Sequence, residues 1–177
     1  MKLNNLIFTA LAGFSIILAG CQNNDENEQH YDNKLFISAS NFTKEILFKA
    51  GDTNVETGLS VAIAKPEEHD IKVTMSPAPE LLSTYKLAYY DETAVLLSEE
   101  HYSMPETSTT IKSGSIVSPE LPIEFINTGE LDIKTTYVLP VTIKSVEGIG
   151  VLQSAKTYYY VFRGASLINV AVSYTHL

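Results

Sequence analysis

Tryptophan is absent from this sequence of 177 residues, and cysteine occurs once. The single cysteine excludes an internal disulfide, which needs two cysteines. The lack of tryptophan removes the indole ring, a common aromatic platform for holding sugars, whereas tyrosine is abundant with ten residues. Basic residues are scarce, with 12 Lys and Arg against 21 Asp and Glu and a formal net charge of −9. This balance argues against nucleic acid as a partner, because nucleic-acid binding depends on basic side chains that neutralise phosphates.

Recognisable catalytic motifs are also absent from the sequence. It contains no Gly-x-Ser-x-Gly nucleophile elbow and no glycine-rich phosphate loop. Ligand-type residues are concentrated at Glu67–Asp70 and Glu99–His101, but no second His or Cys follows at metal-ligand spacing. We interpret both stretches as solvated loops, and no pair of carboxylates lies in a recognisable hydrolase motif. The sequence therefore predicts no catalytic residue, no metal and no cofactor, and the chain is not expected to be an enzyme.

The N-terminus has the three parts of a secretory signal in the usual order. Lys2 supplies a positive charge, an uncharged apolar stretch runs from about Leu6 to Leu18, and small residues precede Cys21. This order is typical of a signal peptide, and the apolar stretch is shorter than the roughly 20 residues that a membrane-spanning helix needs. We therefore predict that residues 1–20 are a signal peptide.

The string Leu-Ala-Gly-Cys, which ends at Cys21, resembles the lipobox of bacterial lipoproteins. The resemblance implies cleavage before Cys21 and attachment of lipid to its sulfur, so that membrane lipid is a partner of the chain. Two or more acyl chains anchor a protein firmly, because each buried methylene contributes about 0.8 kcal/mol. Residues 22–29 are polar, include three acidic side chains and contain no apolar residue, which predicts that residues 21–33 form a flexible tether. The acidic stretch also looks like the signal that sends Bacteroidetes lipoproteins to the outer face of the outer membrane, and a solvated spacer is the alternative interpretation. We expect a lipid-anchored protein of the outer membrane that is exposed on the cell surface.

Alternating apolar and polar residues predict a β-sandwich over residues 34–165. The alternation places one face of each strand on a core, and turn signals separate the runs. We expect about seven short strands in an immunoglobulin-like sandwich, although no Cys–Trp–Cys core of the antibody type is present. Pro140 lies inside a strand pattern, and because proline cannot donate to a ladder it predicts an edge strand or a bulge.

One segment departs from this alternation. Apolar residues at positions 81, 82, 85 and 89 have helical spacing, and Pro79 suits the first turn of a helix. We therefore predict one short helix, Pro79–Tyr89, that crosses between strands and ends at Tyr90. A second helical turn is predicted near Ser98–His101.

Two tyrosines are candidate ligand contacts. Exposed aromatic rings can stack on sugars, and Tyr90 follows the apolar face of the predicted helix. In the run Tyr158-Tyr159-Tyr160, alternation predicts that Tyr159 is exposed while its two neighbours face the core. Ordinary strand tyrosines with their hydroxyls at the edge of the core are the alternative interpretation.

Three places in the sequence carry a family resemblance. The predicted helix is followed by a turn with tyrosine and proline at Glu100–Pro105, a strand at Thr107–Ile111 leads into a Lys-Ser-Gly turn, and Tyr137–Ser145 contains Tyr-x-Leu-Pro-Val-x-Ile. From about Lys34 to Arg163 the chain resembles an uncharacterised domain family of Bacteroidetes surface lipoproteins. The resemblance implies an immunoglobulin-like sandwich and supplies no catalytic residues.

Members of that family usually stand ahead of a carbohydrate-binding domain, a laminin-G-like module or a family 18 glycoside hydrolase. Here residues 166–177 resemble a linker or a non-native tail, which suggests a truncated gene model. The leading hypothesis is a non-catalytic surface module, a spacer or weak glycan binder in a polysaccharide-acquisition system, with an outer-membrane transporter complex as a candidate partner. The alternatives are the N-terminal domain of a truncated glycoside hydrolase and an adhesin or pilus-like structural subunit.

Overall fold

The structure is a computed structural model that describes residues 32–52 and 54–165. The predicted signal peptide (1–20), Cys21, nearly all of the predicted tether (21–33) and the predicted tail (166–177) lie outside the described residues and stay predictions. Within the described part of the chain, no helix is both long enough and apolar enough to cross a membrane.

Short β-strands dominate the described chain, and eight of them have four or more residues. In chain order the strands are β1 (Lys34–Ile37), β2 (Thr43–Phe48), β3 (Val55–Leu59), β4 (Val61–Ala62), β5 (Ile71–Pro77), β6 (Val95–Leu96), β7 (Tyr102–Ser103), β8 (Ser108–Ile111), β9 (Leu121–Phe125), β10 (Tyr137–Val146), β11 (Gly150–Val151) and β12 (Thr157–Gly164). The predicted class, mainly β with a sandwich architecture, is confirmed.

The strands form three sheets. The largest has the order β2-β12-β10-β5-β8, with β6 also paired to β10, and the two smaller sheets have the orders β3-β9-β7 and β11-β1-β4. The main core lies between the largest sheet and the β3-β9-β7 sheet. Phe125 of β9 packs edge-on against Tyr160 and Phe162 of β12, with ring centroids 5.2 and 4.6 Å apart. The alternation in β9 therefore has the expected cause, since one of its faces is buried between two sheets, whereas both faces of β12 are buried.

Within residues 32–52 and 54–165, a single α-helix is present, and it covers the outer face of the largest sheet. A 3-10 turn at Pro79–Leu81 leads into α1 (Leu82–Tyr89). Tyr85 is the buried residue of α1, and it packs in a small apolar cluster with Val138 of β10 and with Tyr159 and Val161 of β12. The predicted helix is confirmed, and so is the predicted second helical turn, a 3-10 turn at Glu99–His101.

The prediction that Pro140 lies at an edge or a bulge is wrong. Strand β10 is central, and its irregularity falls between Ile143 and Ser145. On the β12 side, Tyr159 opposes Pro140 but directs its N–H to the carbonyl of Phe42, so this pair exchanges no ladder hydrogen bonds. On the other side β10 changes neighbours from β6 to β5, and there Pro140 only accepts a hydrogen bond, 2.9 Å long, from the N–H of Ala78. A central position is tolerated because no donor is needed from residue 140.

Candidate functional site

Among the aromatic residues that the structure describes, Tyr90 is the most exposed, and it lines an open depression at the end of α1. The depression has a volume of about 590 Å³ and is lined by Ser83, Lys86, Leu87, Tyr90, Asp91, Glu92 and Thr93. Tyr90 is 92% exposed and Leu87 is 80% exposed. Side chains as exposed as these contribute little to the core, so their apolar surfaces remain available to a ligand.

The end of α1 explains why Tyr90 points into solvent. Tyr90 adopts a left-handed backbone conformation with φ 54° and ψ 33°, and its N–H donates to the carbonyl of Lys86. Glycine is the usual residue in this position because a bulky side chain is strained there. Strained backbone positions of this kind cluster at binding sites, where the fold holds a side chain in a required place.

Polar groups surround the exposed ring. The Thr93 hydroxyl donates to Asp91 Oδ1 over 3.1 Å, and the other carboxylate oxygen of Asp91 lies 3.8 Å from a guanidinium nitrogen of Arg163. Lys86 adds an ammonium donor and Glu92 a second carboxylate to the lining. An apolar platform with donors and acceptors at its rim has the chemistry to stack on a sugar ring and hydrogen-bond its hydroxyls.

A smaller depression of about 210 Å³ lies next to the first. It is lined by Thr43, Glu45, Tyr85, Tyr89, Val161 and Arg163. Tyr89 is 42% exposed, and its ring stacks on that of Tyr85 with centroids 4.8 Å apart. Arg163 also pairs with Glu45 across 3.4 Å. Burial, followed by the charge of Asp91, raises the pKa of the Tyr85 hydroxyl, so Tyr85 is a neutral support for the Tyr89 ring at ordinary pH.

The prediction that Tyr159 is exposed is wrong, because α1 covers its face of the sheet. Tyr159 is only 7% exposed, and its ring lies 5.4 Å from that of Tyr85 and 6.0 Å from that of Tyr89. Burial raises the pKa of its hydroxyl. Tyr158 and Tyr160 face the main core, as predicted. A ligand contact at Tyr159 stays an untested prediction, whereas the geometry makes its ring a support for Tyr89.

Carboxylates gather in a third depression, of about 460 Å³, on the outer face of the β3–β9 pair. Its lining includes Glu56, Glu120 and Glu124 and no aromatic ring. Glu56 and Glu124 lie directly opposite each other in the pairing, and the amide of Asn54 donates to Glu124 over 2.6 Å. In the described part of the chain, no group of three or more His, Cys, Asp and Glu side chains could hold a metal ion.

The two polar stretches noted in the sequence hold loops together. Asp70 accepts hydrogen bonds from Lys112 Nζ at 2.8 Å and from the Ser113 N–H at 2.9 Å, and these bonds lower the pKa of its carboxyl group. Glu67 accepts a hydrogen bond from the Asn33 amide. His101 Nδ1 lies 3.1 Å from the carbonyl of Ile126. These side chains therefore stabilise turns through hydrogen bonds. The structure does not bring Glu67–Asp70 and Glu99–His101 together into one site.

Sequence reasoning found Tyr90 but missed Leu87 and Arg163. Leu87 falls between the helical positions 85 and 89, so it lies off the apolar face of α1. An apolar residue outside the apolar face indicates an exposed apolar side chain, and this signal could have identified Leu87. Arg163 gave no signal, because its partners Glu45 and Asp91 are distant in sequence and meet only through the pairing of β2 with β12 and the packing of α1.

The chain is similar to a family of N-terminal domains and to several solved structures. The family model, described as an N-terminal domain, matches residues 31–150. A candidate carbohydrate-binding protein from Bacteroides ovatus is 18% identical with a TM-score of 0.65, over 73% of this chain and 36% of that one. EndoBT-3987 from Bacteroides thetaiotamicron, solved with a Man5GlcNAc product, is 19% identical with a TM-score of 0.61, over 73% and 30%. A multidomain protein from Bacteroides ovatus that includes DUF1735 is 21% identical with a TM-score of 0.53, over 72% and 42%.

These similarities establish a shared fold. A comparison with curated protein sequences finds no match. The chain spans between 30% and 42% of the length of the three solved structures described above.

Proposed function

Because this chain belongs to the family of N-terminal domains whose model matches residues 31–150, we propose that it is a non-catalytic module of a glycan-handling protein and binds glycans weakly beside α1. The membership and the Bacteroides neighbours confirm the resemblance to a Bacteroidetes N-terminal domain. The observation that carries the proposal is the ring of Tyr90, which is 92% exposed and rimmed by hydrogen-bonding groups. The neighbours described as a candidate carbohydrate-binding protein and as bound to Man5GlcNAc support the choice of ligand.

The geometry favours a weak interaction. A pyranose ring would lay its C–H face on Tyr90, while its hydroxyls donate to Glu92 and Asp91 and accept from Lys86. A pair of aromatic rings contributes about 0.5–1.5 kcal/mol, and we assign a similar amount to a sugar stacked on Tyr90. Each hydrogen bond contributes a net 0.5–1.5 kcal/mol or somewhat more at a charged group. One ring and two or three hydrogen bonds supply a few kcal/mol, and about 4 kcal/mol corresponds to a dissociation constant near 1 mM.

The carboxylate-lined depression supports a non-catalytic role. A glycosidase places two carboxylates on either side of a sugar, about 5–10 Å apart, in a site that holds the substrate. Glu56 and Glu124 instead lie side by side on one face of a sheet, and the Asn54 amide already uses one oxygen of Glu124. No ring in that depression could orient a sugar between them.

We also propose that lipid on Cys21 anchors the protein to the outer membrane with the sandwich exposed on the cell surface. The motivation is the Leu-Ala-Gly-Cys string and the acidic stretch that follows it. A glycan-binding domain in this position would act beside an outer-membrane transporter complex, which is the proposed protein partner.

A second candidate is the N-terminal part of a longer glycan-degrading enzyme. It is favoured by the 30% of EndoBT-3987 that this chain spans. Sequencing the gene beyond the codon for Leu177 tests it, because this candidate requires an open frame that encodes a further domain, and a stop codon within a few residues would rule it out. The adhesin or pilus alternative stays untested.

A glycan array tests the proposed binding directly. We expect the purified protein to bind at least one class of oligosaccharide, and Tyr90→Ala to weaken that binding about tenfold or more, since losing 1.4 kcal/mol lowers affinity tenfold. Tyr90→Phe, which keeps the ring, should retain most of the binding. Ile116→Ala is the matched control, because Ile116 is an apolar side chain with 47% exposure that lines neither depression. If no glycan binds, the binding role is wrong and a spacer remains.

A further inference from the structure

We propose that the depressions around Tyr90 and Tyr89 are two subsites of one extended site, so that the ligand is an oligosaccharide chain rather than a single sugar. This inference rests on the proposed glycan binding and specifies the ligand class. Tyr89 and Tyr90 are consecutive residues, yet each lines a different depression. The residues of α1 that line the two depressions lie on different faces of the helix, so the two aromatic rings flank the end of α1.

An ion pair connects the two subsites. Asp91 lines the Tyr90 depression and Arg163 lines the Tyr89 depression. Their charged groups are 3.8 Å apart, so the two depressions meet at this pair. A glycan chain that leaves one ring would pass over the Asp91–Arg163 pair, where a carboxylate can accept from sugar hydroxyls and a guanidinium can donate to them.

The two rings differ in how firmly they are held. Tyr89 stacks on Tyr85 with an interplanar angle of 30° and meets Tyr159 edge-on, so its ring is fixed before a ligand arrives. Tyr90 is almost fully exposed, so its ring loses freedom when a sugar stacks on it. A preorganised group binds at a lower entropic cost, and the Tyr89 subsite therefore adds affinity to a ligand that Tyr90 already holds.

Occupation of both subsites predicts that affinity depends on chain length. Once one sugar unit rests on Tyr90, the next units meet the Tyr89 subsite at a high effective concentration. We expect affinity to rise at least about tenfold between a monosaccharide and a trisaccharide, which corresponds to 1.4 kcal/mol, and to change little for longer chains.

Titration calorimetry with glucose, mannose and N-acetylglucosamine oligosaccharides of one to six units tests this inference. Two variants act on the second subsite in different ways: Tyr89→Ala removes its ring, and Thr43→Arg fills the depression while the stack of Tyr89 on Tyr85 stays intact. Both should lower the affinity for trisaccharides to that for the monosaccharide, Tyr90→Ala should weaken the binding of every ligand, and Ile116→Ala, which changes a residue that lines neither depression, should leave every affinity unchanged. Circular dichroism confirms that each variant is folded.

Two results would overturn the inference. Affinity that is independent of chain length, with binding still lost in Tyr90→Ala, would limit the site to one subsite and leave the proposed function standing. Equal trisaccharide affinity in the wild type and in Thr43→Arg would have the same meaning. If no oligosaccharide binds at all, the proposed function and this inference fall together.

Discussion

Tyrosine side chains in this protein serve either as exposed platforms or as packing groups. Tyr90 is 92% exposed, whereas Tyr160 is fully buried and Tyr85 is 2% exposed. An aromatic ring with a polar tip suits both settings, so residue type alone does not separate them. Whether a tyrosine is exposed or buried depends on what covers its ring. Solvent surrounds Tyr90, α1 covers Tyr159, and the β3-β9-β7 sheet covers Tyr160.

Tyr160 provides a test of packing at the scale of one atom. Its hydroxyl is buried without a hydrogen-bond partner in the described chain. The neighbouring Thr57 hydroxyl offsets only part of the rise in the Tyr160 pKa that burial causes. An unpartnered buried polar group costs about 1–3 kcal/mol. Tyr160→Phe should therefore leave the free energy of unfolding unchanged or raise it by up to about 2 kcal/mol, as measured by urea denaturation.

Tyr160→Leu is the control for this prediction. It removes the hydroxyl and also the ring contacts with Phe125 and Tyr158, so it should lower the free energy of unfolding by about 1–3 kcal/mol. A loss above about 1 kcal/mol in Tyr160→Phe would show that the hydroxyl has a stabilising partner.

Elements of structure could be predicted wherever a local pattern decides them. The alternation in Leu121–Phe125 marked β9, and the spacing around Tyr85 together with Pro79 marked α1. Tyr159 and Pro140 were misplaced because their environments depend on remote elements. Period two shows that Tyr159 and Tyr160 face opposite sides, but it does not show that a helix covers the second side. Proline at position 140 is tolerated because β10 changes its neighbouring strand there. The sequence of one strand does not specify which strands lie beside it, so this environment could not be predicted.

Gly129 connects two turns at the scale of elements. Its N–H donates to the Asp52 carbonyl at 3.0 Å, and a Cβ on Gly129 would collide with the backbone nitrogens of Gly51 and Asp52. Gly129→Ala must therefore push the two turns apart, and we expect the free energy of unfolding to fall by about 1–3 kcal/mol in chemical denaturation. Gly150→Ala is the matched control, because its nearest neighbour would be Lys34 Cγ at an ordinary 4.0 Å. Equal stability of the two variants would contradict the close approach.

Only part of the candidate site could be predicted from the sequence, because the rest is assembled from elements that are distant along the chain. Tyr90 could be predicted because it follows a local helix pattern. The second subsite needs Glu45 of β2, Arg163 of β12 and Tyr89 of α1 together, and parallel pairing of β2 with β12 brings the first two into contact. Such a site exists only after the sheet order is set. The identities of 18% to 21% establish the shared architecture, and the proposal of a glycan ligand is carried by the exposed ring of Tyr90 and its polar surroundings.

The proposed membrane attachment concerns the whole chain. A net charge of −9 does not favour an electrostatic hold on anionic lipid, so the proposed hold is the lipid on Cys21. Cys21→Ser should move the protein from the membrane fraction to the soluble fraction on cell fractionation, and Gln22→Ala should leave it with the membrane. A Cys21→Ser protein that stays in the membrane fraction would refute the lipid anchor.

The central claim is that a glycan binds at the end of α1, and backbone amide NMR during an oligosaccharide titration tests it most directly. With the strongest binder among the glucose, mannose and N-acetylglucosamine trisaccharides, we expect the largest shift changes at residues 83–93 and at Arg163. Shift changes centred on Glu56, Glu120 and Glu124, or no shift changes with any of the three sugars, would contradict the claim.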